Sequence, residues 1–262
     1  EQDGSDRRDD DPRLVTHVEH PLRRSRQIVT GGAPTVKNAL PARESVSIAF
    51  TVMEWTTVRD AAELTEMFGE PSFRAANKDR RALHPLDVQW LAASPFCLLG
   101  TSDASGRCDV SPKGDPPGSL VHVLDDATIA LAERPGNRRM DGYRNILENP
   151  FVGLNFFVPG RGDTLRINGR ASLVTDAPFF DELRVKGHRP IMCLVVDIEE
   201  VFHHCAKAFM RSKLWQPETW DADALPDVAA LTKALIPQAP ETVEELREYY
   251  GPSYAEQLYP QQ

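Results

Sequence analysis

Between residues 96 and 204 the chain breaks into short apolar runs separated by turn signals, and that rhythm limits the fold more than any other feature. "FCLLGTSD" and "RCDVSPKG" flank Ala104-Ser105-Gly106, while "LVHVLD" and "TIALAE" flank Asp126-Ala127, so two consecutive hairpins are predicted. "VGLNFFVPG" and "IMCLVVDIEEVF" have the length of buried strands. "TLRINGRASLV" alternates, with Leu165, Ile167, Ala171 and Leu173 on one side and Thr164, Arg166, Asn168, Arg170 and Ser172 on the other. A strand with that period packs one face and offers the other to something polar. Six or seven antiparallel strands in about 110 residues, interrupted by helices near 137–149 and at "APFFDELRV", predict a mainly β fold with flanking helices (α+β) built as a small closed barrel.

The flanks read differently. Residues 1–52 are charged and without apolar period, the composition of an irregular extension that offsets little of its ordering entropy. In residues 53–95 two helices are expected as a lead-in. One is capped by Thr57, uses Val58, Ala61, Ala62, Leu64, Met67 and Phe68 as its apolar face and ends at Gly69; the other enters at Pro85 and stops before Pro95. The barrel is assigned to 96–216. Residues 217–262 are expected to add a helical extension through "DVAALTKALI" and "TVEELREYY".

Composition decides which partners fit. A formal net charge of -9 disfavours nucleic acid and anionic membrane, which reward a basic surface. No apolar run reaches the ~20 residues of a membrane span. Cys97, Cys108, Cys193 and Cys205 form no CxxC pair, and His203-His204 lacks a third ligand at metal spacing, so no metal is expected. A cytoplasmic protein acting on a small molecule is the resulting expectation.

Against that acidic background, "LAERPGNRRMDGYRNILENP" places Arg134, Arg138, Arg139 and Arg144 within eleven residues. With Asn137 as cap, Arg138 and Arg139 fall in a first helical turn, with Met140, Tyr143, Ile146 and Leu147 as the buried stripe and Asn149-Pro150 as the stop. Cations there oppose the helix dipole by about 0.3–1 kcal/mol each, and a bound phosphate reverses the sign. Two readings stay open: an anion site, or pairing of the arginines with Glu133 or Asp141. "DVSPKGDPPG" adds the Ser111 hydroxyl and the Lys113 ammonium in a proline-stiffened turn. In "CAKAFMRSKLW", Ala206, Phe209, Met210 and Lys213 make one helical side, and Lys207, Arg211 and Trp215 recur every four residues on another.

Taken in order, "DVSPKGDPPG", "RPGNRRMDGYRNILENP", "GDTLRINGRA" and "CAKAFMRSKLW" resemble the pyridoxamine 5'-phosphate oxidase-related flavoproteins over roughly residues 54–216. The resemblance implies a split β-barrel, a homodimer, and FMN at the subunit interface. It implies cofactor contacts from Ser111, Lys113, Arg134, Asn137, Arg138, Arg139, Thr164, Arg166, Lys207 and Arg211, with the basic pair on the phosphate. Thr164 stands where the family carries a glutamine, and the family's C-terminal Arg–His substrate signature is not found, which points away from pyridoxamine 5'-phosphate as substrate. The expected activity is an FMN-dependent oxidoreductase, in which the cofactor carries the redox chemistry and no side chain is assigned as acid or base. The alternatives are an enzyme using deazaflavin F420 or haem on the same barrel, and a non-catalytic flavin-binding module.

Overall fold

The computed structural model describes residues 55–259. The extension expected over 1–52 lies outside the described residues.

Helix α1 (Ala61–Phe68) starts one turn later than expected: Asp60, not Thr57, is the cap, and its carboxylate accepts the Glu63 N–H at 3.0 Å. Asp outranks Thr at this task. Gly69 ends the helix at φ 75°, a conformation that costs glycine nothing. The apolar face anticipated for α1 is not buried. After the short α2 (Phe73–Ala76), α3 (Pro85–Ala93) begins at Pro85, where a missing N–H is harmless.

Seven strands follow: β1 (Phe96–Ser102), β2 (Cys108–Gly114), β3 (Val121–Val123), β4 (Thr128–Glu133), β5 (Phe151–Phe157), β6 (Thr164–Val174) and β7 (Met192–His204), with α4 (Asp141–Glu148) between β4 and β5. Both predicted hairpins form, with Ser102 opposite Cys108 and Val123 opposite Ile129. All pairings are antiparallel, in the order β2-β1-β5-β6-β7-β4-β3. The sheet curls into a split β-barrel, but the closure expected from the strand count is not made by hydrogen bonds: β2 and β3 remain edges. β2 is an edge buried on neither face, and it carries Pro112, which has no N–H to offer a further strand.

The alternation of β6 holds: Leu165, Ile167 and Ala171 are buried while Arg166, Arg170 and Ser172 are exposed. Thr164 departs from its side of the strand and is buried. At Asn168/Gly169 the β6–β7 register slips by one residue, and a Cβ on Gly169 would lie 2.1 Å from the Asp197 carbonyl oxygen. This bulge bends the longest strand pair of the sheet. Leu99, Ile129, Leu154, Phe156, Leu165, Ile167, Val196 and Val201 fill the concave side. Each is worth about 1.5–3 kcal/mol of burial.

A 3-10 turn (Pro178–Asp181) stands where a short helix was expected, and Phe180 and Leu183 pack on Ala132 and Cys193 below it. Burial pushes the Cys97 thiol up to about 12 and the Cys193 thiol up to about 11, so both act as apolar side chains. Beyond the sheet lie α5 (Lys207–Ser212), α6 (Val228–Leu235) and α7 (Val243–Tyr249), the last two on the apolar periods read from the sequence. Among the described residues no helix is long and apolar enough to cross a membrane.

Candidate functional site

The start of α4 differs from its expected form. Asn137 is not the cap. Its Oδ1 accepts the Arg139 N–H at 3.1 Å within the preceding loop, and the helix begins only after Met140. Met140 has φ 60° and provides no side-chain cap. Arg138 is also left-handed, at φ 61°. Two non-glycine residues held in this region within three positions are strained by roughly 1 kcal/mol each or more. Arg138 and Arg139 therefore precede the helix instead of occupying its first turn. The consequence for charge survives the shift, because the N–H groups of that turn still lack a capping side chain and point toward the loop. Left-handed residues flanking Arg139 are also a backbone setting in which successive N–H groups form anion-binding concavities.

The buried stripe of α4 is likewise rotated. Gly142, Asn145 and Ile146 face the barrel, with the Asn145 amide donating to Thr101 Oγ1 at 3.0 Å and the Asn149 amide to Ser102 Oγ at 2.9 Å. A one-turn-later start and these two polar anchors turn Met140 and Leu147 outward, where they are 49% and 76% exposed.

That rotation builds a pocket of about 900 Å³ between β2, the β4–α4 loop and α4. One end is cationic. Ser111, Lys113, Asn137, Arg138 and Arg139 line it, and Arg138 makes no ion pair among the described residues. The other end is apolar, formed by Leu147, Leu173, Ile191 and Met192 with Val110. Partners already hold some of the cations. Arg139 Nε donates to Asp141 at 2.6 Å, and Lys113 Nζ contacts Glu133 at 2.8 Å and the Tyr143 hydroxyl at 2.7 Å. Burial, reinforced by the Glu133 carboxylate, pushes the Tyr143 phenol far above its ordinary value, so Tyr143 stays neutral. Arg134 lies deeper in the wall. Its Nε donates to Asp115 Oδ2 at 2.7 Å and its Nη2 to the Leu183 carbonyl at 2.7 Å.

Six of the ten residues singled out in the sequence thus meet at one pocket, and four do not. Thr164 is buried in β6, Arg166 donates to Asn168 Oδ1 at 3.1 Å over the Phe202 ring, and Lys207 and Arg211 are exposed on α5. The two-sided stripe expected of α5 reduces to aromatic packing: Phe209 stacks on Trp215, whose indole N–H donates to the Arg161 carbonyl at 2.6 Å. Sequence reasoning missed Asp115, Tyr143 as a polar partner, and the apolar wall at 191–192. Only the pairing options of Glu133 and Asp141 were visible in advance.

A second, smaller cavity of about 480 Å³ lies beside Trp90, Arg161, Asp163 and His203. Its charges are satisfied internally: Arg161 is paired with Asp163 at 2.7 Å, and His203 Nε2 lies 3.0 Å from buried Asp87.

Comparison with known proteins bears on the barrel. Residues 83–205 match the family model described as pyridoxamine 5'-phosphate oxidase. No curated protein matches the chain. Among solved structures, a candidate pyridoxamine 5'-phosphate oxidase of Lactobacillus delbrueckii is 26% identical, covering 48% of this chain and 98% of its own, with TM-score 0.38. HupZ of Group A Streptococcus is 18% identical (46% and 94% covered, TM-score 0.38). A pyridoxamine 5'-phosphate oxidase-related, FMN-binding protein of Nostoc punctiforme is 15% identical (46% and 84%, TM-score 0.33). At these scores none of the three bears on function. The matched segment starts just before α3 and ends after β7, taking in the whole sheet, the β4–α4 loop and the pocket, and over that segment the chain is similar to the pyridoxamine 5'-phosphate oxidase family.

Proposed function

We propose that the chain is an FMN-dependent oxidoreductase working as a homodimer. The observation that carries this reading is the pocket beside α4, which is cationic at a helix start without a cap and apolar at its far end. A ligand with a phosphate at one end and a flat apolar body at the other matches that polarity. Arg138 would give the phosphate a charge-assisted partner, Arg139 would share its guanidinium between Asp141 and the phosphate, and Ser111 would add a hydroxyl. Lys113, fixed by Glu133 and Tyr143, would stand beside the ring. When bound, the flavin supplies hydride or electron transfer, while the protein holds and orients it and restricts water.

Thr164, Arg166, Lys207 and Arg211 line no part of this pocket within one chain. In this reading a second copy supplies the exposed Arg166, Lys207 and Arg211, which makes the dimer a requirement of the complete site, while Thr164, buried within its own strand, contacts no ligand.

Titration calorimetry of apoprotein with FMN tests the assignment. Arg138→Ala should lose about 1.5–3 kcal/mol of affinity, the value of one charged hydrogen bond, and Arg139→Ala less, since Asp141 already holds it. Unchanged binding in both variants overturns the phosphate assignment. Light scattering that shows a stable monomer with a full complement of FMN overturns the dimer. The absorption spectrum of the purified protein separates FMN from deazaflavin and haem, and turnover with NAD(P)H separates an enzyme from a binding module.

A further inference from the structure

The chain beyond the family match returns, at Tyr259, to the residues that back the pocket at Arg134. A 3-10 turn (Pro252–Leu258) delivers Tyr259, whose hydroxyl donates to Asp115 Oδ1 at 2.6 Å across 144 positions of sequence. The other oxygen of that carboxylate accepts from Arg134. The Tyr259 ring lies beneath Lys186, 5.4 Å from the ammonium, and beside the Arg134 guanidinium at 6.0 Å. One aromatic residue therefore joins three segments behind the pocket: Asp115 just after β2, Arg134, which itself lines the pocket, just after β4, and Lys186 in the loop before β7.

The lock acts on a residue under tension. The Asp115 side chain is 1% exposed and that of Arg134 is 11% exposed, and Arg134 Nη1 is buried with no partner. An orphaned guanidinium nitrogen is a standing cost, which Arg134 would relieve by swinging toward water. The two hydrogen bonds on Asp115 oppose that swing. Arg134 lines the pocket together with Gly136 and Asn137, two and three positions further along the chain, so its position bears on where the left-handed Arg138 loop begins.

We propose that Tyr259 is a positioning residue for the phosphate-bearing ligand of this pocket: by locking Asp115 it fixes Arg134, and so the arginine loop, in the geometry that receives the anion. This rests on the phosphate reading above. By reciprocity, a bound phosphate group tightens the docking of the C-terminal segment. Burial, and then the hydrogen bond to Asp115, push the Tyr259 phenol up to about 12, so the lock persists throughout the neutral range.

The test has two arms, each run on full-length parent and Tyr259→Phe, a change that removes only the hydroxyl. In the ligand-free proteins the Arg134 Nε–H resonance is followed by NMR: it should be slow to exchange with solvent in the parent and fast in the variant. An unchanged resonance overturns the proposal whatever the pocket binds. In the second arm FMN affinity should fall about tenfold in the variant, the order expected for a residue acting through the groups that touch the ligand. Unchanged or tighter FMN binding overturns the proposal as well. Tyr254→Phe should leave both readouts at parental values, and a chain ending at Gly251 should reproduce the Tyr259→Phe result in both. If the parent itself binds no FMN, the phosphate reading fails, and the first arm alone decides the coupling.

Discussion

Two helices of this barrel begin beside clusters of charge, with opposite outcomes. At the α3 start the charges are paired within the protein. His84 caps the helix, and Asp87 at the third position accepts the His84 N–H at 2.7 Å, both terminal nitrogens of Arg80 and, at 3.0 Å, His203. At α4 the cap is a left-handed methionine without a capping side chain, and the nearest cations are exposed. Both starts carry arginine beside an acid. The first has its carboxylate buried at the helix end and needs nothing further, whereas the second leaves donors directed at a pocket. Closed charge networks serve stability, and open ones are where a ligand gains its energy.

This contrast breaks most sharply at Asp87. Asp87→Ala strips Arg80 and His203 of their buried partner and should cost about 3 kcal/mol in urea unfolding, with FMN affinity unchanged. A loss of FMN binding in a folded Asp87→Ala protein would mean that the two helix starts are not functionally separate. The converse change, Arg138→Ala, should cost about 2 kcal/mol of FMN affinity while moving unfolding stability by less than about 0.5 kcal/mol. Equal losses in both measurements would make the α4 loop structural.

Acid sharpens the same distinction. Burial works to raise the Asp87 pKa, but the Arg80 guanidinium, the His84 N–H and His203 outweigh it and hold the carboxyl below its ordinary value. A group depressed in the folded state contributes stability that is fully present above the unfolded value of about 3.9 and is lost as pH falls through the folded value. Melting temperature should therefore decline more steeply below about pH 4 in the parent than in Asp87→Asn. Parallel curves would remove Asp87 from the acid transition. The smallest effect is expected at α4, where Met140→Gly relieves a left-handed residue that is half exposed and should stabilise by about 0.5 kcal/mol. A loss of 1 kcal/mol or more would show that the Met140 side chain holds the loop.

How much of this was visible in the sequence follows from the range of each interaction. The hairpins were legible because Ala104-Ser105-Gly106 and Asp126-Ala127 carry their turn chemistry locally, and Pro85 marked the start of α3 for the same reason. The start of α4 was misread: Asn137 is a good cap by type, yet nothing about Arg138 or Met140 announces a left-handed backbone, which the surrounding structure imposes. The cationic end of the pocket was legible as a cluster of residue types. Its apolar end was not, since Met140 and Leu147 read as core by period and turn outward only because Asn145 and Asn149 anchor to β1. The Asp115–Tyr259 bond is beyond any local pattern at its sequence separation.

The bulge between β6 and β7 bears on which sequences can inherit this fold. At Gly169 the neighbouring strand occupies the place of a Cβ, against the Asp197 carbonyl. Every other amino acid brings that carbon, so no choice of side chain, large or small, polar or apolar, escapes the collision. Side chains along the outer face of β6 can change without meeting this collision, but at this codon the barrel admits one letter. A lineage that lost it would have to reshape the strand pair before it could keep the curvature.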